Sequence, residues 1–208
     1  MRSPSSRPPG RPKQSENLSI PDTVLRVASH LFMDYGYDVV SLDLIAEAAD
    51  ITKASIYYYF PTKADVFTAA VESLLKVIYR ESSKILEGPG TLRERLFTLT
   101  KTRLAVAETR FDFERVIGEA QGQLNDEQLL RVRQSMHNLA ELLADAISRA
   151  AAAGEVKSAN PVFAAHAYMA LLNTAYARDT HGNLLFEDRS TAAASVVDFL
   201  MAGLLETP

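Results

Sequence analysis

The chain has 208 residues, 47% hydrophobic and 23% charged, which suits one small folded domain joined to a larger one, and it has no cysteine, which excludes disulfides and thiolate metal sites. No apolar run is long enough to cross a bilayer, and Pro, Ser and Gly follow the basic N-terminus where a secretory signal needs an apolar core, so a cytoplasmic location, near the nucleoid when on DNA, is expected. The net charge of −4 is unevenly spread: residues 1–13 carry Arg2, Arg7, Arg11 and Lys13 and no acid, while residues 14–63 carry three basic groups against seven acidic ones.

Residues 1–18 hold four of the nine prolines and show no periodicity, so they are expected to form a disordered basic arm. Within it, Pro9-Gly10-Arg11-Pro12-Lys13 resembles the core of an AT-hook, and Arg11 is the candidate for a minor-groove contact. A merely solvated tail is the plainer alternative.

From Ser19 onward the periodicity is helical. Val24, Ala28, Leu31 and Phe32 recur at helical spacing, with Ser19 as cap, Pro21 in the first turn and Gly36 as stop. His30 falls in this helix as a structural residue. Ser41 caps a short helix predicted over 42–49, with Leu42, Ile45 and Ala46 on its buried face. Thr52 caps a third, predicted over 53–60 and ended by Pro61. Thr62 and Asp65 then form a capping-box-like pair that opens a fourth helix. Gly88-Pro89-Gly90 is a break, Thr91 to Glu94 another capping box, and Asn125 caps a long helix that Gly154 closes. Asn160-Pro161 opens the next helix, a loop spans about 179–188, and a last helix runs near 190–205. Nothing reads as a strand. The expected fold is all-α with about nine or ten helices: an arm at 1–18, a three-helix helix-turn-helix domain at 19–67, and an all-helical domain at 68–208 for dimerisation and ligand binding.

Two short helices joined by a tight turn have the dimensions of a DNA-binding helix-turn-helix, whose second helix enters the major groove. In the second helix Ile56 and Phe60 are spaced i, i+4 and can anchor it from behind. Tyr57, Tyr58 and Tyr59 are spread about 100° apart and cannot all face one core. Their hydroxyls suit phosphate oxygens, and their rings suit sugars or a thymine methyl. Thr52, Lys53 and Ser55 lie at the helix start, which approaches base edges, and Lys63 follows where it can hold a phosphate.

The stretch from Ile20 to Phe67 resembles the DNA-binding domain of the tetracycline-repressor (TetR) family. The resemblance rests on Ala28, Leu31-Phe32, Gly36-Tyr37, Ser41, Ile45-Ala46, Ala49, the run from Thr52 to Phe60, Lys63 and Phe67. It implies DNA contacts by Lys53, Ala54, Tyr57, Tyr59 and Lys63, and often by Thr52. Ser41, Leu42, Ser55, Tyr58 and Arg11 complete the candidate set. Asp50 departs from the pattern, standing in the turn where glycine is common.

The remainder is similar to the family more loosely, chiefly in Phe113 to Ala120. The resemblance implies a homodimer through the last two long helices, about 161–178 and 190–205. Both are rich in alanine (Ala164, Ala165, Ala167, Ala170; Ala192, Ala193, Ala194), which permits close approach, although an intramolecular core would use the same residues. It also implies a cavity for a small-molecule effector, with candidate lining residues Phe97, Leu104, Phe113, Ile117, Met136, Leu139, Tyr168, Met169 and Tyr176, any of which could instead be ordinary core. His137 and His166 could add polar contacts, and the scarcity of basic residues among the candidates points to a mainly apolar effector.

No phosphate loop, dinucleotide fingerprint, nucleophile elbow or His-Glu-x-x-His occurs, so no enzyme, cofactor or metal is expected. The expected partner is double-stranded operator DNA, read as a palindrome by a twofold dimer. The expected function is a repressor released by its effector; the alternative is a regulator with no inducer, whose second domain only dimerises or binds a protein.

Overall fold

The computed structural model describes residues 19–106, 113–157, 160–177, 179–181 and 183–205; the basic arm with Arg11 lies outside them. Among the described residues the chain forms nine α-helices and no strand. They are α1 (Ile20–Tyr35), α2 (Leu42–Ala48), α3 (Lys53–Tyr59), α4 (Lys63–Leu86), α5 (Leu92–Val106), α6 (Phe113–Ala120), α7 (Asp126–Ala152), α8 (Pro161–Thr174) and α9 (Arg189–Leu205).

The helix ends follow the capping chemistry of the sequence. Ser19, Ser41 and Thr52 accept the backbone N–H of Asp22, Leu44 and Ser55 at 3.3, 3.1 and 3.1 Å. Thr62 with Asp65, and Asn125 with Gln128, form reciprocal capping boxes. Asp188, which precedes α9, accepts from the N–H groups of Ser190 and Thr191 at 2.7 and 2.9 Å.

The α2–α3 turn closes in a Schellman arrangement. Asp50 donates to the Glu47 carbonyl at 3.1 Å and Ile51 donates to the Ala46 carbonyl at 3.0 Å. Asp50 adopts φ 54°, the left-handed region where glycine costs least. Helix α3 stops one residue short of the sequence expectation because Phe60, next to Pro61, is extended at φ −133°.

Two hydrophobic cores result. The first gathers Val24, Ala28 and Phe32 of α1, Ile45 of α2, Ile56 of α3 and Phe67 of α4, all fully buried. Phe32, Tyr37 and Phe67 form an aromatic cluster, with Phe67 edge-on to the other two at 5.1 Å between ring centres. Val116, Ile117 and Ala120 of α6 and Val132 of α7 complete this core. The second core packs Leu92 and Leu96 of α5, Leu143 and Ile147 of α7, Ala165 and Tyr168 of α8, and Ala193 and Val197 of α9.

Helix α4 belongs to both cores: its residues from Val66 to Leu75 line the first and Leu86 the second. It runs unbroken through the boundary expected between residues 67 and 68. Ala164, Ala165, Ala192 and Ala193 are buried within the subunit, where their small side chains bring α8 and α9 against the second core.

Candidate nucleic-acid interface and ligand cavity

Helix α3 is fixed from behind and open in front. Ile56 is fully buried and Phe60 packs partly against the same core. Tyr57, Tyr58 and Tyr59 are 50%, 83% and 43% exposed, so all three of the adjacent tyrosines face outward and none fills the core. Tyr58 and Tyr59 meet edge to face at 4.9 Å between ring centres, which orders the pair. Thr52 and Ala54 are exposed beside them, and Ser55 is half-buried with its hydroxyl 2.8 Å from that of Thr52.

The lysines are already engaged. Lys53 Nζ donates to Asp43 Oδ2 at 2.7 Å, tying the start of α3 to the first turn of α2. This hydrogen bond holds the Lys53 pKa above its usual value. Lys63 Nζ lies 4.2 Å from the centre of the Tyr37 ring and 3.5 Å from the Asp38 carbonyl oxygen. Partial burial lowers its pKa against the opposing pull of Asp38.

Ser41 is exposed and caps α2, and a hydroxyl that accepts from Leu44 N–H can still donate outward. Leu42 behaves differently: its side chain is buried in the first core because it lies on the apolar face of α2. What Leu42 can offer a duplex is therefore its backbone.

A cavity of about 270 Å³ opens between α4, α5, α6, α7 and α8. Five expected lining residues meet there: Phe113, Met136, Leu139, Met169 and Tyr176. Four others lie elsewhere. Leu104 and Tyr168 are sealed in the second core, and Tyr168 shares a 2.9 Å hydrogen bond with Thr100. Burial pushes the Tyr168 hydroxyl up to about 12. Ile117 belongs to the first core, and Phe97 borders an open groove between α5 and α9. His166 does line the cavity, whereas His137 sits on an exposed stretch of α7, its Nε2 3.2 Å from Glu141.

Sequence reasoning misses Arg103, a basic residue that lines this cavity. Its Nη2 donates to the Ile78 carbonyl and to Ser82 Oγ, both at 2.6 Å and both on α4. A visible signal is its place on α5: it follows Leu92, Leu96 and Leu99 at i+11, i+7 and i+4, a charge on an apolar stripe.

Helix α6 links the cavity to the helix-turn-helix unit. Phe113 and Glu114 at its start line the cavity. Near its end, Glu119 Oε2 accepts the backbone N–H of Tyr37 at 2.9 Å. Arg115 donates to Glu119 at 2.7 Å and to the Met33 carbonyl at 3.1 Å. Among the described residues no group of His, Asp and Glu could hold a metal, and no helix is long and apolar enough to cross a membrane.

Comparison with known proteins accords with this geometry. Residues 24–70 match the profile of bacterial regulatory proteins of the tetR family, and residues 89–177 match that of the tetracyclin repressor-like C-terminal domain. The chain is 30% identical over 64 residues to YhgD of Bacillus subtilis (strain 168), an uncharacterised HTH-type transcriptional regulator, covering 31% of this chain and 34% of that one. It is 36% identical over 52 residues to IcaR of Staphylococcus epidermidis, the negative transcriptional regulator of the biofilm operon icaADBC, covering 25% of this chain and 28% of that one. The matches thus span about a third of these relatives' length or less.

Solved structures carry the likeness across the fold. A TetR-family transcriptional regulator from Agrobacterium tumefaciens superposes with a TM-score of 0.72 at 19% identity, over 89% of this chain and 97% of that one. AibR, solved in complex with isovaleryl coenzyme A and operator DNA, superposes with a TM-score of 0.67 at 20% identity, over 87% and 97%.

Proposed function

From the premise that the chain belongs to the tetR family of bacterial regulatory proteins, DNA-binding regulators and not enzymes, we propose that it is a dimeric repressor of a palindromic operator, released by a small, mainly apolar effector. The single observation that carries the DNA reading is the outward row of Tyr57, Tyr58 and Tyr59 over a fully buried Ile56. Such a row has little reason to face water, and it lies where a recognition helix meets phosphates and base edges.

Dimerisation through α8 and α9 is supported by their exposed apolar side chains. Val162 and Phe163 on α8 are 56% and 70% exposed, and Phe199 on α9 is 72% exposed. Side chains of that size in water mark a contact surface. Two copies related by a twofold axis place two α3 helices on half-sites about 34–36 Å apart, or a multiple of that.

Effector control is supported by the cavity and by the two helices that leave it. Helix α4 runs from the cavity wall at Ile78 into the first core, and α6 runs from the cavity to the turn at Tyr37. A ligand that favours one placement of these helices changes DNA affinity by its differential affinity for the two placements, typically about 1–3 kcal/mol. AibR, with its coenzyme A thioester and operator, is a relative in fold whose structure holds both kinds of partner together.

The test is footprinting of the purified chain on the intergenic DNA beside its own gene. A symmetric protected site is expected, lost when effector is added. A regulator without an inducer would keep the footprint under every compound tried, and no protected site at all would refute the reading.

A further inference from the structure

Resting on the reading that the cavity takes an effector, we propose that this effector is an amphipathic carboxylate, its anionic head held by Arg103 and its apolar body lying against Met136, Leu139 and Met169. Three observations carry this. The Arg103 guanidinium is half-buried at the wall of an otherwise largely apolar cavity. Among the described residues no carboxylate lies within ion-pair distance of it. Among the same residues its hydrogen bonds are made by Nη2, to the neutral oxygens of Ile78 and Ser82.

A guanidinium carries five N–H donors and stays charged in proteins. Removed from water without an anion it is costly to keep, and burial lowers its pKa here. Glu81 attracts it from beyond ion-pair distance, but that carboxylate is engaged by Lys84 at 3.3 Å. The donors on Nε and Nη1 therefore suit a ligand oxygen that brings negative charge. The neighbouring acid, Glu114, is exposed at the start of α6, where solvent screens it. A cavity of about 270 Å³ has room for an apolar body such as that of octanoate.

The test compares octanoate, 1-octanol, octylamine and octanoyl coenzyme A by titration calorimetry on the full chain. Octanoate should bind about tenfold or more tightly than 1-octanol, as a charge-assisted hydrogen bond implies, and octylamine should bind least. Arg103→Gln should remove the advantage of octanoate over 1-octanol, with helical circular dichroism and thermal unfolding reporting that the variant is folded. If that variant does not fold, the order of the three head groups on the unaltered chain decides the matter alone.

Equal binding of octanoate and 1-octanol would overturn the carboxylate assignment and leave the cavity as an effector site. Octanoyl coenzyme A binding more tightly than octanoate, with no loss in Arg103→Gln, would overturn it too, by placing head-group recognition elsewhere. Binding by none of the compounds would overturn both the assignment and the effector reading of the cavity.

Discussion

The Glu119 carboxylate accepts the backbone N–H of Tyr37 at 2.9 Å, so a helix that begins at the cavity between α4 and α8 ends by holding the turn between α1 and α2. The backbone next door is one that favours glycine. Gly36 stands at φ 84°, and a Cβ on it would run into the Glu119 carboxylate. Glu119→Ala should lower stability by about 1–3 kcal/mol, because a charge-assisted hydrogen bond to a backbone donor disappears. Gly36→Ala should cost at least as much, because φ 84° with ψ 169° is a conformation that essentially only glycine adopts, a strain of about 1–3 kcal/mol, and the new Cβ also displaces the carboxylate. Denaturant unfolding of both single variants and the double variant checks this; the two effects should not add, since the same interaction is broken twice.

Asp43 is the acidic residue that touches the candidate DNA face, through its 2.7 Å ion pair with Lys53. A phosphate must compete with it for the same ammonium. Asp43→Asn should tighten DNA binding several-fold at low salt, read by fluorescence anisotropy. Its cost is a weaker start to α2, about 0.3–1 kcal/mol, because an anion there favours the helix dipole. Unchanged or weaker binding would mean that Lys53 is positioned by Asp43 and does not compete for it.

Tyr168 makes stability depend on alkaline pH. Its folded pKa is raised to about 12 against an unfolded value near 10, so the folded chain keeps a proton that the unfolded chain releases. Stability is complete below about pH 10 and falls as pH rises towards 12, by roughly 2–3 kcal/mol for a shift of two pH units. Tyr176 and Tyr37, both raised by burial, act in the same direction. Urea unfolding across this window should show the decline, and Tyr168→Phe should flatten it.

Many helix starts are legible in the sequence because each is signalled by a few adjacent residues, whereas the end of α8, expected near 178, falls at Thr174. The reciprocal pair of Thr91 and Glu94 is one such signal: Glu94 accepts the Thr91 N–H at 2.8 Å, and the Glu94 N–H reaches the Thr91 hydroxyl at 3.3 Å. The outward tyrosines are legible too, since three neighbours on a helix cannot share one face. The partners of a buried face are not. Val116, Ile117 and Ala120 form an apolar stripe that would look the same against either core, and only the fold assigns it to the first. The family resemblance therefore makes Ile117 a cavity candidate although the fold buries it in the first core, and periodicity gives Arg103, a charge on an apolar stripe, no destination at all.

The basic arm lies outside the described residues, yet its charge makes a clear expectation. Removing residues 2–13 takes away Arg2, Arg7, Arg11 and Lys13 and leaves a net acidic domain to face DNA. Affinity should fall, and the slope of log K against log salt should become shallower by about 0.9 for each phosphate that the arm had neutralised. Identical binding at two salt concentrations would mean the arm takes no part.

The most direct measurement of the central claim is selection of bound sequences from a random duplex pool by the purified full chain. The enriched sequences should contain an inverted repeat, and Lys53→Ala with Tyr57→Ala should abolish the enrichment while the helical circular dichroism is retained. Enrichment of no repeat, or of the same repeat by the doubly substituted chain, would contradict the assignment of α3 as the element that reads DNA.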